Sequence, residues 1–227
     1  MANPEPIFAR DTFQFFRDLA RHNKKTWMDA NRERYQECVV RPFRRLLDEM
    51  APTVLELDPR FDTTARGGRN FSRINRDIRF AKDKTPYRTQ MYLTFGALRG
   101  DMESGDLYAG ISADAVTAGF RIYAGSKYKE SALAQIAAPR VAADVKWLAR
   151  QKKRLARRCE SYWYSAQKGE WIKHSGWPSA QDWGRVRGWV VRCKMGPAAA
   201  TRTSFPRDVG KIFRDVYPIF RFTSLSD

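Results

Sequence analysis

At Gly67 and Gly68 the apolar pattern of this chain changes period. Before the two glycines the spacing is helical. Phe13, Phe16 and Leu19 recur every three residues, which puts one apolar face on a helix starting at Asp11 and Thr12 and ending near Asn23. A second helical stretch runs from Trp27 through Tyr35 to Val39, and Pro42 either kinks it or starts a new helix. Phe43, Leu46, Leu47, Met50 and Val54 fall on the buried side of that continuation, which Pro59 closes. Beyond the glycines the pattern alternates. Residues 91–98, 107–112 and 116–123 read as strands, the last two joined by a tight turn at Asp114 and Ala115. Helices return at 129–138 and at 141–159, where Val145, Leu148, Leu155 and Cys159 are expected on one face. A stretch rich in Trp, Gly and Pro follows at 162–197, with a strand expected at 188–194. A last helix at 206–220 buries Val209, Ile212, Phe213 and Val216. Helices, then strands, then helices, without regular βαβ alternation, predict an α+β fold with helices from both chain ends packed on a small antiparallel sheet. No low-complexity linker or domain-sized repeat interrupts the 227 residues, so residues 1–227 are expected to form a single domain.

Apolar residues make up 43% of the chain, enough for a packed core, and no run approaches the roughly 18 that a membrane helix needs. The first ten residues lack the charge pattern and apolar stretch of a signal peptide. Cys38, Cys159 and Cys193 are odd in number and far apart, with no Cys-x-x-Cys pair. The expectation is therefore reduced, buried thiols in a cytoplasmic protein, with no zinc site and no cofactor. No oligomeric state follows from the sequence.

Charge is the outlier. The chain carries +17, and sixteen of those net charges lie in two windows. Residues 66–90 hold eight basic and two acidic side chains; residues 146–194 hold thirteen and three. Such a field attracts nucleic acid, anionic lipid or phosphorylated ligands; a solubility role is the plain alternative.

The first window contains the densest polar constellation: Arg73-Ile74-Asn75-Arg76-Asp77-Ile78-Arg79-Phe80, then Lys82, Lys84, Pro86 and Tyr87. If extended, Arg73 and Arg79 share a side parity with Asp77, and Arg76 points the other way. If helical, Arg73, Arg76 or Asp77, and Phe80 line one face. Either arrangement brings guanidinium forks near one point, where they match phosphate or carboxylate bidentately. Arg73, Arg76, Arg79, Lys84 and Tyr87 are the candidate anion ligands, with Asp77 orienting one arginine. The competing reading is an internal ion-pair network in which Arg76 meets Asp77 or Asp83 and the loop is pinned to the helical region.

This pattern resembles that of the bacterial family catalogued as domain of unknown function 2461. The family pattern is Arg-x-x-Arg-Asp-x-Arg-Phe, two residues, Asp or Asn, Lys, two residues, Tyr. It is met at Arg73, Arg76, Asp77, Arg79, Phe80, Asp83, Lys84 and Tyr87. Phe13, Leu19, Asn23, Trp27, Asn31, Arg32, Tyr35 and Pro42 also fall in the family's usual order. The resemblance implies no activity, cofactor or catalytic residue.

Catalytic signals are thin. Neither His22 nor His174 is tied by spacing to a Ser, Cys or carboxylate, and there is no nucleophile elbow, phosphate loop or dinucleotide fingerprint. Asp77 is the one candidate base, and its cationic neighbours hold its pKa down. The carboxylates Asp101, Glu103, Asp106 and Asp114 read as solvated. The second window presents Lys152, Lys153, Arg154 and Arg157 on a cationic helix, followed by Tyr162, Trp163 and Tyr164. Cations track phosphates and rings stack on exposed bases, so these residues, Trp163 among them, are the candidate nucleic-acid ligands; the competing reading is a solvated helix face with ordinary core aromatics. Trp171, Trp177, Trp183 and Trp189 recur every six residues and read as core or loop anchors, with a stacking platform as the alternative. Two functions are expected: an anion-binding domain, enzyme or sensor, holding a small phosphorylated or carboxylated ligand in the arginine motif, or a non-enzymatic nucleic-acid-binding protein. No membrane partner is expected.

Overall fold

The helical period before Gly67 becomes four short helices in a computed structural model that describes residues 5–65, 67, 69–96, 105–123, 132–168 and 170–223. Helix α1 spans Arg10–Arg21, α2 Lys25–Ala30, α3 Arg32–Tyr35 and α4 Arg41–Leu57. Between α3 and α4 one wide turn, Gln36–Val40, closes on a bond from the Arg41 N–H to the Gln36 carbonyl five residues back. Pro42 explains the widening. It has no N–H for the Cys38 carbonyl, and the buried Thr12 hydroxyl donates to that carbonyl at 2.6 Å instead. Thr12 is thus a clamp between helices, and Ala9, not Asp11 or Thr12, caps α1.

The strands order as β1-β2-β3-β6-β4-β5 in one antiparallel sheet. They are β1 Gln90–Phe95, β2 Asp106–Ser112, β3 Val116–Tyr123, β4 Cys159–Gln167, β5 Glu170–Ser175 and β6 Gly188–Met195. The β2–β3 turn closes on the Ser112 N–H bonded to the Ala115 carbonyl at 3.0 Å. Helices α5 Ala132–Ala143, α6 Val145–Leu155, α7 Pro197–Ala200 and α8 Phe205–Thr223 complete the α+β fold. The expected ends at 97–98 and 129–131, and Asp101 and Glu103, lie outside the described residues.

The chain divides into two compact units, Met1–Phe95 with Ala109–Thr117 and Met195–Gly210, and Gly96–Tyr108 with Ala118–Lys194 and Lys211–Asp227. In the first, Phe8 meets Phe43 and Phe205 edge-on at 5.2 and 5.8 Å, beside the fully buried Phe13 and Phe16. Each such ring contributes about 1.5–3 kcal/mol on burial. In the second, Trp189 is the hub, edge-on to Phe120, Trp177 and Trp183 at 5.3–6.0 Å. Gly119 is obligatory there, because a Cβ would lie 2.0 Å from the Val191 carbonyl oxygen.

Two expectations are corrected in the second unit. The helix read through Cys159 ends at Leu155, and Cys159 opens β4. Val145 is exposed, and Leu148 and Leu155 are the buried residues of α6. The cysteines are not all thiols: Cys159 and Cys193 face each other across β4 and β6 and form a disulfide. Sequence separation hid the pair, since the register between strands, not spacing along the chain, brings them together. Cys38 remains a buried thiol, its pKa pushed up to about 12 by burial.

Candidate functional site

The arginine motif is neither helix nor strand. It is a loop whose two ends pair. Asn75 and Tyr87 form an antiparallel bridge, the Arg76 N–H bonds the Pro86 carbonyl at 2.8 Å, and the Arg88 N–H bonds the Ile74 carbonyl at 2.7 Å. Asn23, beyond the end of α1, holds this base. Its Nδ2 donates to the Tyr87 carbonyl at 2.9 Å and its Oδ1 accepts from the Tyr87 N–H at 3.0 Å. Tyr87 itself is buried. The residues that carry the resemblance at the two ends of the first unit therefore meet in one bidentate contact, which spacing alone did not reveal.

Inside the loop Arg76 reaches Asp83 and the Thr85 hydroxyl, and also the Thr85 carbonyl at 3.2 Å. The Thr85 N–H, the Arg76 guanidinium and the Thr85 hydroxyl hold the Asp83 carboxyl down to about 2. Arg79 grips Asp77 through two bonds of 2.8 and 3.0 Å, which lowers the Asp77 pKa and raises that of Arg79. The Lys84 ammonium caps the Ile78 carbonyl at 3.0 Å. Of the candidate ligands, Arg76 and Arg79 thus each engage their own carboxylate, and Lys84 engages backbone. Arg73 is exposed and, with Lys82, has no ion pair among the described residues. The loop tip carries Phe80, 96% exposed, with the Arg79 guanidinium 5.9 Å from its ring centre. A cleft of about 570 Å³ in the same unit is lined by Arg10, Phe13, Arg17 and Thr201, not by the motif.

The second basic window splits in two. On α6, Lys152, Lys153 and Arg157, just past its end, are exposed and have no ion pair among the described residues. Arg154 turns instead to Asp215, at 3.5 Å, where Arg158 also bonds. The aromatic run falls on β4, whose alternation buries Cys159, Ser161, Trp163 and Ser165 and turns Tyr162 and Tyr164 outward. Trp163 is 4% exposed and stacks on His174 at 4.0 Å, so it offers no face to a base. The outward rings are its neighbours. His174 has a partner after all: Ser165 Oγ lies 2.8 Å from its Nε2, across the β4–β5 hairpin that the sequence did not reveal. No group of His, Cys, Asp or Glu is arranged to hold a metal ion among the described residues. No helix among them is long and apolar enough to cross a membrane.

The architecture is thus an α+β protein with a self-braced arginine loop and a strongly basic second unit. A family model described as "Conserved hypothetical protein (DUF2461)" matches residues 11–222, and the chain belongs to that family. No curated protein and no solved structure matches it.

Proposed function

We propose that this chain is a nucleic-acid-binding protein that engages phosphates through cations with no carboxylate of their own. The observation that carries this reading is the exposed set Lys152, Lys153 and Arg157 on and beside α6, in a window of thirteen basic and three acidic residues. A cation already paired gains little by exchanging its carboxylate for a phosphate, whereas an unpaired one that neutralises a phosphate releases a counterion condensed on the nucleic acid. Fluorescence anisotropy with labelled oligonucleotides at near-physiological salt, beside a lysine-rich control protein of similar charge, tests the reading. Binding should exceed the control and fall when Lys152, Lys153 and Arg157 are replaced by Ala; binding no tighter than the control refutes it.

A small phosphorylated or carboxylated ligand at the motif loop is the second reading. Arg73 supports it, being exposed beside a braced loop with no ion pair among the described residues. Titration with inorganic phosphate should then move the Arg73 side-chain resonances, and Arg73→Ala should abolish the response of the neighbouring amides. Unmoved resonances would remove this reading.

A further inference from the structure

The outward face of β4, β5 and β6, with the end of β3, joins aromatic rings to cations. The register sets Tyr164 opposite Lys173 of β5 and Gly188 of β6, Tyr162 opposite Ser175 and Val190, and Ala166 opposite Trp171. Tyr123, Tyr164 and Trp171 close into a cluster with centroids 5.7–6.2 Å apart, and Tyr162 lies 5.9 Å from Tyr164. Gly188 makes room for it: a Cβ there would sit 2.8 Å from the Tyr123 ring and 3.2 Å from the Trp171 ring. Tyr123 and Trp171 stay 46% and 42% exposed, which is unusual for large rings packed on a sheet. Beside the cluster, Lys173 Nζ stands 4.0 Å over the Tyr162 ring and the Arg192 guanidinium 5.1 Å from it. Arg192 and Lys194 share one carboxylate, Glu160, and Lys173 has no ion pair among the described residues.

We infer that this face is the site where single-stranded nucleic acid stacks its bases, with Tyr123, Tyr164 and Trp171 as the platform and Lys173, the cation of this face without a carboxylate among the described residues, taking the phosphate. The inference rests on the nucleic-acid reading above and adds its strand preference. Rings give every base a stacking surface whatever the sequence, and cations over the neighbouring ring meet the backbone. A duplex hides its base faces, so it gains only the charge. An acidic protein would gain the charge but no base stacking on the exposed rings, so rings and charge together favour the single strand.

The test measures binding of an oligo(dT) 20-mer and of a duplex of equal length to the full chain, its Tyr164→Ala and Trp171→Ala variants, and Lys152→Ala/Lys153→Ala/Arg157→Ala. Each ring variant should weaken oligo(dT) binding roughly five- to 150-fold and leave duplex binding unchanged. The triple variant should weaken both. Ultraviolet cross-linking of oligo(dT) to the unaltered chain should map to the peptides holding Tyr164 and Trp171, a readout that does not depend on any variant folding. Ring variants that leave oligo(dT) binding intact, equal losses on duplex, cross-links confined to α6, or competition by polyglutamate as effective as by oligo(dT) would each overturn the inference while leaving the nucleic-acid reading standing. Binding of neither nucleic acid above the charged control would overturn both.

Discussion

Single side chains decide whether the motif loop is a machine part or a scaffold. Asp83 is the pivot, because its carboxylate takes the Arg76 guanidinium, the Thr85 N–H and the Thr85 hydroxyl together. Its folded pKa is depressed to about 2, so what it contributes is complete above the ordinary carboxylate value of about 3.9 and is lost as pH falls through about 2. The Thr85 amide resonance should therefore titrate with a midpoint near 2; a midpoint near 4 would show Asp83 free of the network. Phe80 is the opposite kind of residue, exposed to 96%. Phe80→Ala should change stability by no more than about 0.5 kcal/mol in chemical denaturation, and a larger loss would place the ring in the fold's own packing. Ion-pair bracing was one of two readings open from the sequence, since Arg76, Arg79, Asp77 and Asp83 are all near neighbours along the chain. The tie to Asn23, 64 residues from Tyr87, was not legible, because nothing in local spacing encodes which backbone a distant amide will meet.

At the level of elements, the wide turn before α4 depends on a hydroxyl from α1. Thr12→Val keeps the shape and removes the donor to the Cys38 carbonyl, leaving a buried acceptor unsatisfied. Denaturation should show a loss of about 1–3 kcal/mol, and a neutral change would mean the carbonyl finds another donor. The strand pair β4–β6 offers a second check. Alkylation in denaturant without reductant should label one thiol per chain, Cys38, and three after reduction. Three before reduction would contradict the pairing. Helix periods were readable where one face is buried and the other wet, as in α1 and α4, whereas β2 and β3, buried along most of their length, were readable as short runs around a turn signal at Asp114. Neither signal was readable across β4 and β5, because β5 is exposed along nearly its whole length and its polar-and-aromatic sequence has no apolar alternation to detect. Whether Trp163 stacks on bases or belongs to the core was not legible for the same reason: without the β4 register, its inward parity relative to Tyr162 and Tyr164 had no reference.

Across the whole molecule, the +17 charge is not evenly spent on internal pairs. Arg154 and Arg158 converge on Asp215 and Arg150 on Asp144, while Lys152, Lys153 and Arg157 have no ion pair among the described residues. Charge windows were visible in composition, but which cations were already paired was not, since Asp215 lies 57 residues or more from both arginines that it binds. The salt dependence of nucleic-acid binding measures this division directly, because the slope of log affinity against log salt counts the phosphates neutralised. Replacing Lys152, Lys153 and Arg157 together should flatten that slope by about two to three units, and replacing Arg154 alone should leave it nearly unchanged. A slope unchanged by the triple substitution, or flattened by the full ~0.7–0.9 of one phosphate on Arg154→Ala alone, would contradict the account.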